Sequence, residues 1–496
     1  MCLICAPPSQ LMILKRCWLM KSNVSNSLEH FFRKFGDYIR SPIVRSLSKT
    51  KTSDFTRIYK FPWFDVILYL IFRSEKTSQG ELSKYFSDIG HPGYQVSKQA
   101  MLKAVNKLNP NVFIDLIHHF AELFYQSEDL VKTYRGYILL AEDGTTLELR
   151  PTVQALMQYG FVTNSKVKDM FDAVNATSRS SALYDVTNGL VVDFTMENYS
   201  KSEIPMAAGH LLRMHSVFDG RRIIYLADRY YDSVELQAIL ESYGFYYCIR
   251  GKSNFFRHYI EKMTSDDEWI TVEVDKPWQR RLKYSIPKER FVKDPTFRLR
   301  IVKYKYSYTD INGIPQTTDL IYFTNLPKEE FSSQEIVNLY ERRWDIECSY
   351  KTLKTDYEWE RYFTSASNAE RNMIFAKVLF HNIVGVIRKE MNRQLQADNN
   401  PKNKYGYTIN IAQLAKMIRE NNLVRWLRTS NRKAIMRTMD VILGLINKIK
   451  VPVRPGRHHQ RWGAVVTYNH PHRYRLDGRH DPRVRTYQGC MMTVKP

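Results

Sequence analysis

Residues 332–360 read SSQEIVNLYERRWDIECSYKTLKTDYEWE. Ser332 followed three residues later by Glu335 is a capping box, which satisfies backbone N–H groups that open a helix. No Gly or Pro interrupts residues 333–360, so the stretch predicts one helix of about seven turns. Tyr340, Arg343, Glu347 and Lys354 stand on it at offsets of 0, 3, 7 and 14. At that spacing all four fall within an arc of about 60°. One stripe therefore presents a phenol, a guanidinium, a carboxylate and an ammonium. On an arbitrary charged helix this is a solvated polar face; two aspartates upstream give it another meaning.

Each of those aspartates comes after an apolar run. Residues 137–141 (YILLA) predict a strand leading into Glu142-Asp143-Gly144, and residues 223–227 (IIYLA) a strand ending on Asp228. In an open sheet, functional side chains emerge at the carboxyl ends of strands. Asp143 and Asp228 brought together, with Glu347 from a helix beside the sheet, make a hard-oxygen site. Like charges at close range repel, so such a cluster calls for a cation. Mg²⁺ takes a few carboxylates, retained waters and substrate phosphate oxygens. Two such ions about 4 Å apart activate a water or 3′-hydroxyl on one side of a phosphorus and stabilise the leaving oxygen on the other. Arg343 as a bidentate fork and Lys354 as a point charge would then hold the strand's phosphates. Tyr340 would donate to a phosphate or stack on a base.

Each residue has a plainer reading. Asp143-Gly144 is also a good turn. Asp232 and Glu235 lie near Asp228 and compete as the second carboxylate; Glu358 and Glu360 are weaker rivals to Glu347. Trp344 reads as core packing, or as an aromatic that holds an unpaired base.

Around these residues the chain divides into six segments. Residues 1–23 are a loose N-terminal extension. Residues 24–132 read as a helical domain, in which 78–89 and 97–108 around His91-Pro92-Gly93 form a helix pair suited to contact DNA. Residues 133–254 open an α/β catalytic domain: a hairpin around Asn188-Gly189, the strand before Asp228, a helix at 233–243 and a buried strand at 245–252. Residues 255–330 alternate apolar with polar residues and read as a β-rich insertion. Residues 331–400 complete the domain, with a core helix at 371–394. Residues 401–496 are helical, then irregular and basic; 451–496 carry eight Arg and one Lys against Asp477 and Asp481.

The whole chain has 74 Lys and Arg against 51 Asp and Glu, a formal charge of +23 over 496 residues. That balance points to a polyanion, nucleic acid first. Six scattered cysteines suit a reducing compartment rather than a disulfide framework. Residues 61–72 (FPWFDVILYLIF) are too short to span a bilayer and contain Asp65, so a soluble, cytoplasmic protein is expected.

The set Asp143, Asp228 and Glu347, with Y-x₂-R-x₃-E-x₆-K at Tyr340, Arg343, Glu347 and Lys354, resembles the insertion-sequence DDE transposases of the Y-R-E-K signature group. The contexts EDGTT and ADRYYD also resemble that family's, with Tyr230 where a small residue, usually Gly, commonly comes after the D-R pair. The resemblance implies a ribonuclease H-like mixed sheet flanked by helices and interrupted by a β-rich insertion. It implies that Asp143, Asp228 and Glu347 bind two Mg²⁺ ions, with Mn²⁺ as a substitute. The activity implied is cleavage at the ends of the enzyme's own element and joining of the 3′ ends to target DNA. Tyr340, Arg343 and Lys354 would grip the terminal strand, in a homodimer on paired ends associated with the nucleoid. Two other classes use the same residues: a nuclease that hydrolyses without joining, and a non-catalytic DNA-binding descendant.

Overall fold

The computed structural model describes residues 26–56, 61–74, 78–94, 96–163, 167–309, 314–362, 364, 367–397, 404–420 and 424–454. The expected N-terminal extension and the basic tail beyond residue 454 lie outside them.

The apolar runs become the centre of one eight-stranded sheet. Its strands are β1 (Tyr137–Leu149), β2 (Ala176–Asp185), β3 (Leu190–Asn198), β4 (Arg222–Ala227), β5 (Tyr246–Arg250), β6 (Asp267–Glu273), β7 (Thr296–Thr309) and β8 (Pro315–Thr324), in the order β3-β2-β1-β4-β5-β8-β7-β6. β1, β4 and β5 are parallel, and β2 and β3 fold back antiparallel on the outer side of β1. The central strands are buried along nearly their whole length, as continuous apolar runs require. Gly189, at φ +70°, closes the expected hairpin between β2 and β3 in the left-handed conformation such a turn needs. This is a mixed sheet of parallel and antiparallel strands, as expected.

The stretch expected as a β-rich insertion supplies three strands. β6, β7 and β8 do not stand apart from the sheet; β8 pairs antiparallel with β5 through Cys248↔Thr324 and continues it. Without β8, β5 would leave a row of unpaired backbone groups at its outer side, and pairing removes that edge. The half of β8 that joins the sheet is buried, while the half that projects with β7 is exposed.

Helices cover both faces. Glu203–Met214 lies on one: Arg213 Nε donates to Asp193 Oδ2 on β3 at 2.8 Å. Phe194, the next residue, points the other way and meets Trp359 and Phe375 at 5.3 Å each. That second face carries Trp344–Thr355 and the core helix Ser367–Ala397. Asn382 of the core helix covers the outer edge, accepting from Val191 N and donating to Val191 O, both at 2.8 Å. The N-terminal helices form as expected, Ser97 capping Lys98–Lys107 by accepting from Ala100 N. They join the C-terminal helices in one core: Trp426 packs 5.8 Å from Phe32, and Arg428 Nε pairs with buried Asp65 at 2.8 Å. Among the described residues, no helix is long and apolar enough to cross a membrane.

Candidate active site

β1 does not end before Asp143. It runs through Asp143-Gly144 to Leu149, paired with β2 as Asp143↔Ala182 and Gly144↔Ser181. The expected turn is absent because β2 continues to offer partners on that side. Against β4, the parallel register runs to Glu142↔Ala227 and stops. Asp143 and Asp228 are therefore the next two residues along neighbouring strands, at the point where β4 leaves the sheet. Adjacent strands lie about 4.8 Å apart, so the two carboxylates rise side by side. Asp228 Oδ1 accepts from Tyr230 N at 2.8 Å. Tyr230 is not among the described non-glycine residues with positive φ, so the departure from Gly there demands no unusual backbone.

The capping box at Ser332 and Glu335 is present, but the expected single helix is two: Ser333–Glu341 and Trp344–Thr355. Between them the hydrogen bonds tighten from four residues to three, with Arg342 N to Leu339 O at 3.2 Å and Arg343 N to Tyr340 O at 3.0 Å. Such a stretch inside a helix marks a hinge or strain. Arg343 Nη2 donates to Glu347 Oε1 at 2.8 Å, and its guanidinium lies 5.5 Å from the Tyr340 ring centre. The second helix is laid along β1. Tyr350 Oη donates to Asp143 O at 2.7 Å, and Lys354 Nζ to Thr146 O at 2.8 Å.

The electrostatics place these groups in one neighbourhood. Burial pushes the Asp143 carboxyl up to about 8; Arg343 opposes this, and Glu347 and Asp228 add to it. Burial works against the Arg343 guanidinium, yet Tyr340, Asp143 and Glu347 hold its proton more tightly than usual. Asp143, Asp228, Glu347, Arg343 and Tyr340 thus come together, while Lys354 is two turns farther along β1. The three carboxylates do not close into a ligand set: among the described residues, no three His, Cys, Asp or Glu side chains stand where they would hold a metal ion. The guanidinium of Arg343 lies against Glu347 and supplies the positive charge. In donor type the three carboxylates suit a hard divalent cation, although in this arrangement they do not enclose one.

The rival residues have structural partners. Asp232 is buried and accepts from Lys252 N at 3.3 Å. Glu235 accepts from Tyr284 N at 2.8 Å, Glu360 from Glu148 N at 3.0 Å, and Glu358 pairs with Arg361 at 2.7 Å. Trp344, read as core packing or as an aromatic for an unpaired base, is 37% exposed and so is not a core residue.

Sequence reasoning passed over the support beneath the site. Glu142 points to the face opposite Asp143, fully buried, and meets His210 Nδ1 at 2.9 Å; His210 Nε2 lies 3.0 Å from Thr195 Oγ1. Ser181 Oγ donates to Asp143 O at 3.2 Å and also contacts Glu142. A Cβ at Gly144 would stand 2.2 Å from the Glu203 carboxyl carbon, so a side chain there would push that carboxylate aside. A signal existed in the Glu directly before Asp143, since a strand sends successive side chains to opposite faces. His210 and Tyr350 carried none.

A model of the family described as "Transposase DDE domain" matches residues 135–383, half of the chain. No curated protein matches it. Among solved structures, the cryo-EM structure of the piggyBac transposase synaptic complex with hairpin DNA is similar at 10% identity, covering 87% of each chain. Its TM-score of 0.39 is too low to bear on function.

Proposed function

The chain belongs to the family of transposase DDE domains, enzymes that act on DNA, and from that premise we propose that it cuts the ends of its own insertion sequence and joins the 3′ ends to target DNA. The observation that carries this reading is the in-register emergence of Asp143 and Asp228 from parallel neighbours, with the Glu347 helix tied to the same strand. In this proposal Asp143, Asp228 and Glu347 hold two Mg²⁺ ions, with Mn²⁺ as a substitute. When bound, such ions activate the attacking oxygen and stabilise the leaving one.

The chain's own groups do the rest. Asp143 and Asp228 present oxygens from a rigid sheet, and Glu347 from a helix whose position Tyr350 fixes. Arg343, held between Glu347 and Tyr340, is placed to turn its fork to a phosphate of the terminal strand. Lys354 has three donors, one of which goes to Thr146 O, and adds a point charge farther along. Tyr340 offers a ring and a hydroxyl beside them. The spacing of Tyr340, Arg343, Glu347 and Lys354 supports membership of the Y-R-E-K group. The helix pair at 78–88 and 98–107 is proposed to contact DNA outside the reacting strand, as is the basic tail. A homodimer on paired ends, and association with the nucleoid, belong to the same proposal.

The test is cleavage of a linear duplex ending in the DNA that flanks this gene, with Mg²⁺ and with EDTA. Nicking at the element boundary with Mg²⁺ only, lost in Glu347→Gln, is the expected result. Metal-dependent cutting with no joining to a supercoiled target would leave a nuclease; tight binding without cutting would leave a DNA-binding descendant.

A further inference from the structure

Cationic side chains from two distant segments crowd the turn between β2 and β3, away from the carboxylates. Gly385 of helix Ser367–Ala397 lies against that turn. A Cβ at Gly385 would stand 2.6 Å from Gly189 O, so only glycine admits the helix this closely. One turn later, Lys389 passes over the same turn, its Cε 3.9 Å from where a Gly189 Cβ would be. Asn188 pins the second segment: its side chain accepts from Lys132 N at 2.9 Å and donates to Lys132 O at 3.0 Å. A hairpin turn and a close helix approach thus set Lys132 and Lys389 within electrostatic reach of each other, with Arg388 adjoining.

Neither lysine has a carboxylate within ion-pair distance among the described residues. The acids nearby are occupied or turned elsewhere. Asp185 accepts from Tyr125 Oη at 2.8 Å and from Asn188 Nδ2 at 2.7 Å. Glu390 is paired with Arg393 at 3.0 Å. Asp345, on the helix that carries Glu347, is the remaining acid facing Lys389. Burial lowers the Lys389 ammonium to about 8, against the pull of Asp185 and Asp345, and Lys132 and Arg388 push in the same direction as burial. Burial also lowers Lys132, against Glu390 and with Arg393. Cations held half-buried, crowded and unpaired are destabilising unless an anion joins them.

We propose that Lys132 and Lys389, with Arg388 beside them, form a phosphate-contact subsite for the DNA backbone, separate from the Asp143–Asp228–Glu347 centre and from the Tyr340–Arg343–Lys354 stripe. The subsite rests on the reading of the chain as an enzyme acting on DNA. Asp345 and Glu347 share one helix but, two residues apart, stand on different sides of it, so the subsite would hold DNA away from the reacting phosphate. The partner is a backbone phosphate because the side chains gathered over this turn, Lys132, Lys389 and Arg388, are all cationic.

The experiment is the salt dependence of duplex binding by the full-length protein at pH 7 and pH 9. For Lys132→Gln with Lys389→Gln, the slope of log Kobs against log salt should flatten by about two phosphate contacts, with thermal stability unchanged or raised. For the intact protein, binding should weaken between pH 7 and pH 9 as Lys389 loses its proton. Lys389→Arg, whose guanidinium stays charged, should keep the slope and lose that pH dependence. An unchanged slope in the double variant overturns the subsite, while wild-type binding leaves the DNA reading standing. If the double variant does not fold, a pH 7–9 loss that persists in Lys389→Arg overturns it instead. No DNA binding by the intact protein would remove the functional reading and the subsite together.

Discussion

Asp143 shows what one residue position can demand. Its carboxyl keeps a proton up to about 8 in the folded, metal-free protein, chiefly through burial and then through Glu347 and Asp228. In the unfolded chain an aspartate releases its proton near ~3.9. Between those values the unfolded state binds fewer protons, so the site's contribution to stability falls as pH rises. Metal-free Asp143→Asn should therefore melt above the wild type, with the gap widening from pH 5 to pH 8. Mg²⁺ should raise the wild-type Tm and leave the variant nearly unmoved. A gap constant with pH in thermal melts would separate Asp143 from the carboxylate cluster. Asp228 and Glu347 were legible in the sequence for the same reason as Asp143: each stands where a regular apolar pattern ends or a polar stripe begins.

At the scale of elements, the informative feature is the helix that breaks at Arg342-Arg343. Its capping box could be read from Ser332 and Glu335, because capping is local chemistry. The tightened turn could not, since neither Gly nor Pro marks it and both arginines adopt ordinary helical angles. Beyond the break, Tyr350 ties the Glu347 helix to Asp143 by one hydrogen bond at 2.7 Å. Tyr350→Phe removes that bond and the hydroxyl's hydrogen bond with the Ala182 backbone, and keeps the ring. Stability should fall by about 1 kcal/mol, while single-turnover nicking should slow roughly 10- to 100-fold, since a misplacement of about 1 Å has that effect on oriented groups. Wild-type nicking by Tyr350→Phe would show that β1 and the helix keep their spacing without it.

Across the whole molecule, the N-terminal and C-terminal helices share one core around Phe32, Trp426 and the Asp65–Arg428 pair. Asp65 is 1% exposed and also accepts from Tyr85 Oη at 2.7 Å. Arg428→Ala would leave a buried carboxylate without its cation, a change that costs about 3–5 kcal/mol. Because both ends of the chain contribute, calorimetry should show a single transition moved to lower temperature. Two transitions, only one of them displaced, would mean that the terminal helices and the sheet unfold independently.

By itself the sequence determined the strands, their apolar centres and the Asn188-Gly189 hairpin, and singled out Asp143, Asp228 and Glu347 as candidates, because each rests on periodicity or turn chemistry within a few residues. The charge of +23 and the Tyr340–Lys354 spacing, likewise local or additive, pointed to DNA. Tertiary structure alone decided that β1 runs through Asp143, that β8 extends the main sheet and that the polar stripe is split. It also decided that Glu142 and His210 pair beneath the site and that Lys132 meets Lys389. Each of these depends on which distant segment lies alongside. Pairing partners, close glycine contacts and buried charge pairs are properties of residues far apart in the chain, and no local pattern records them.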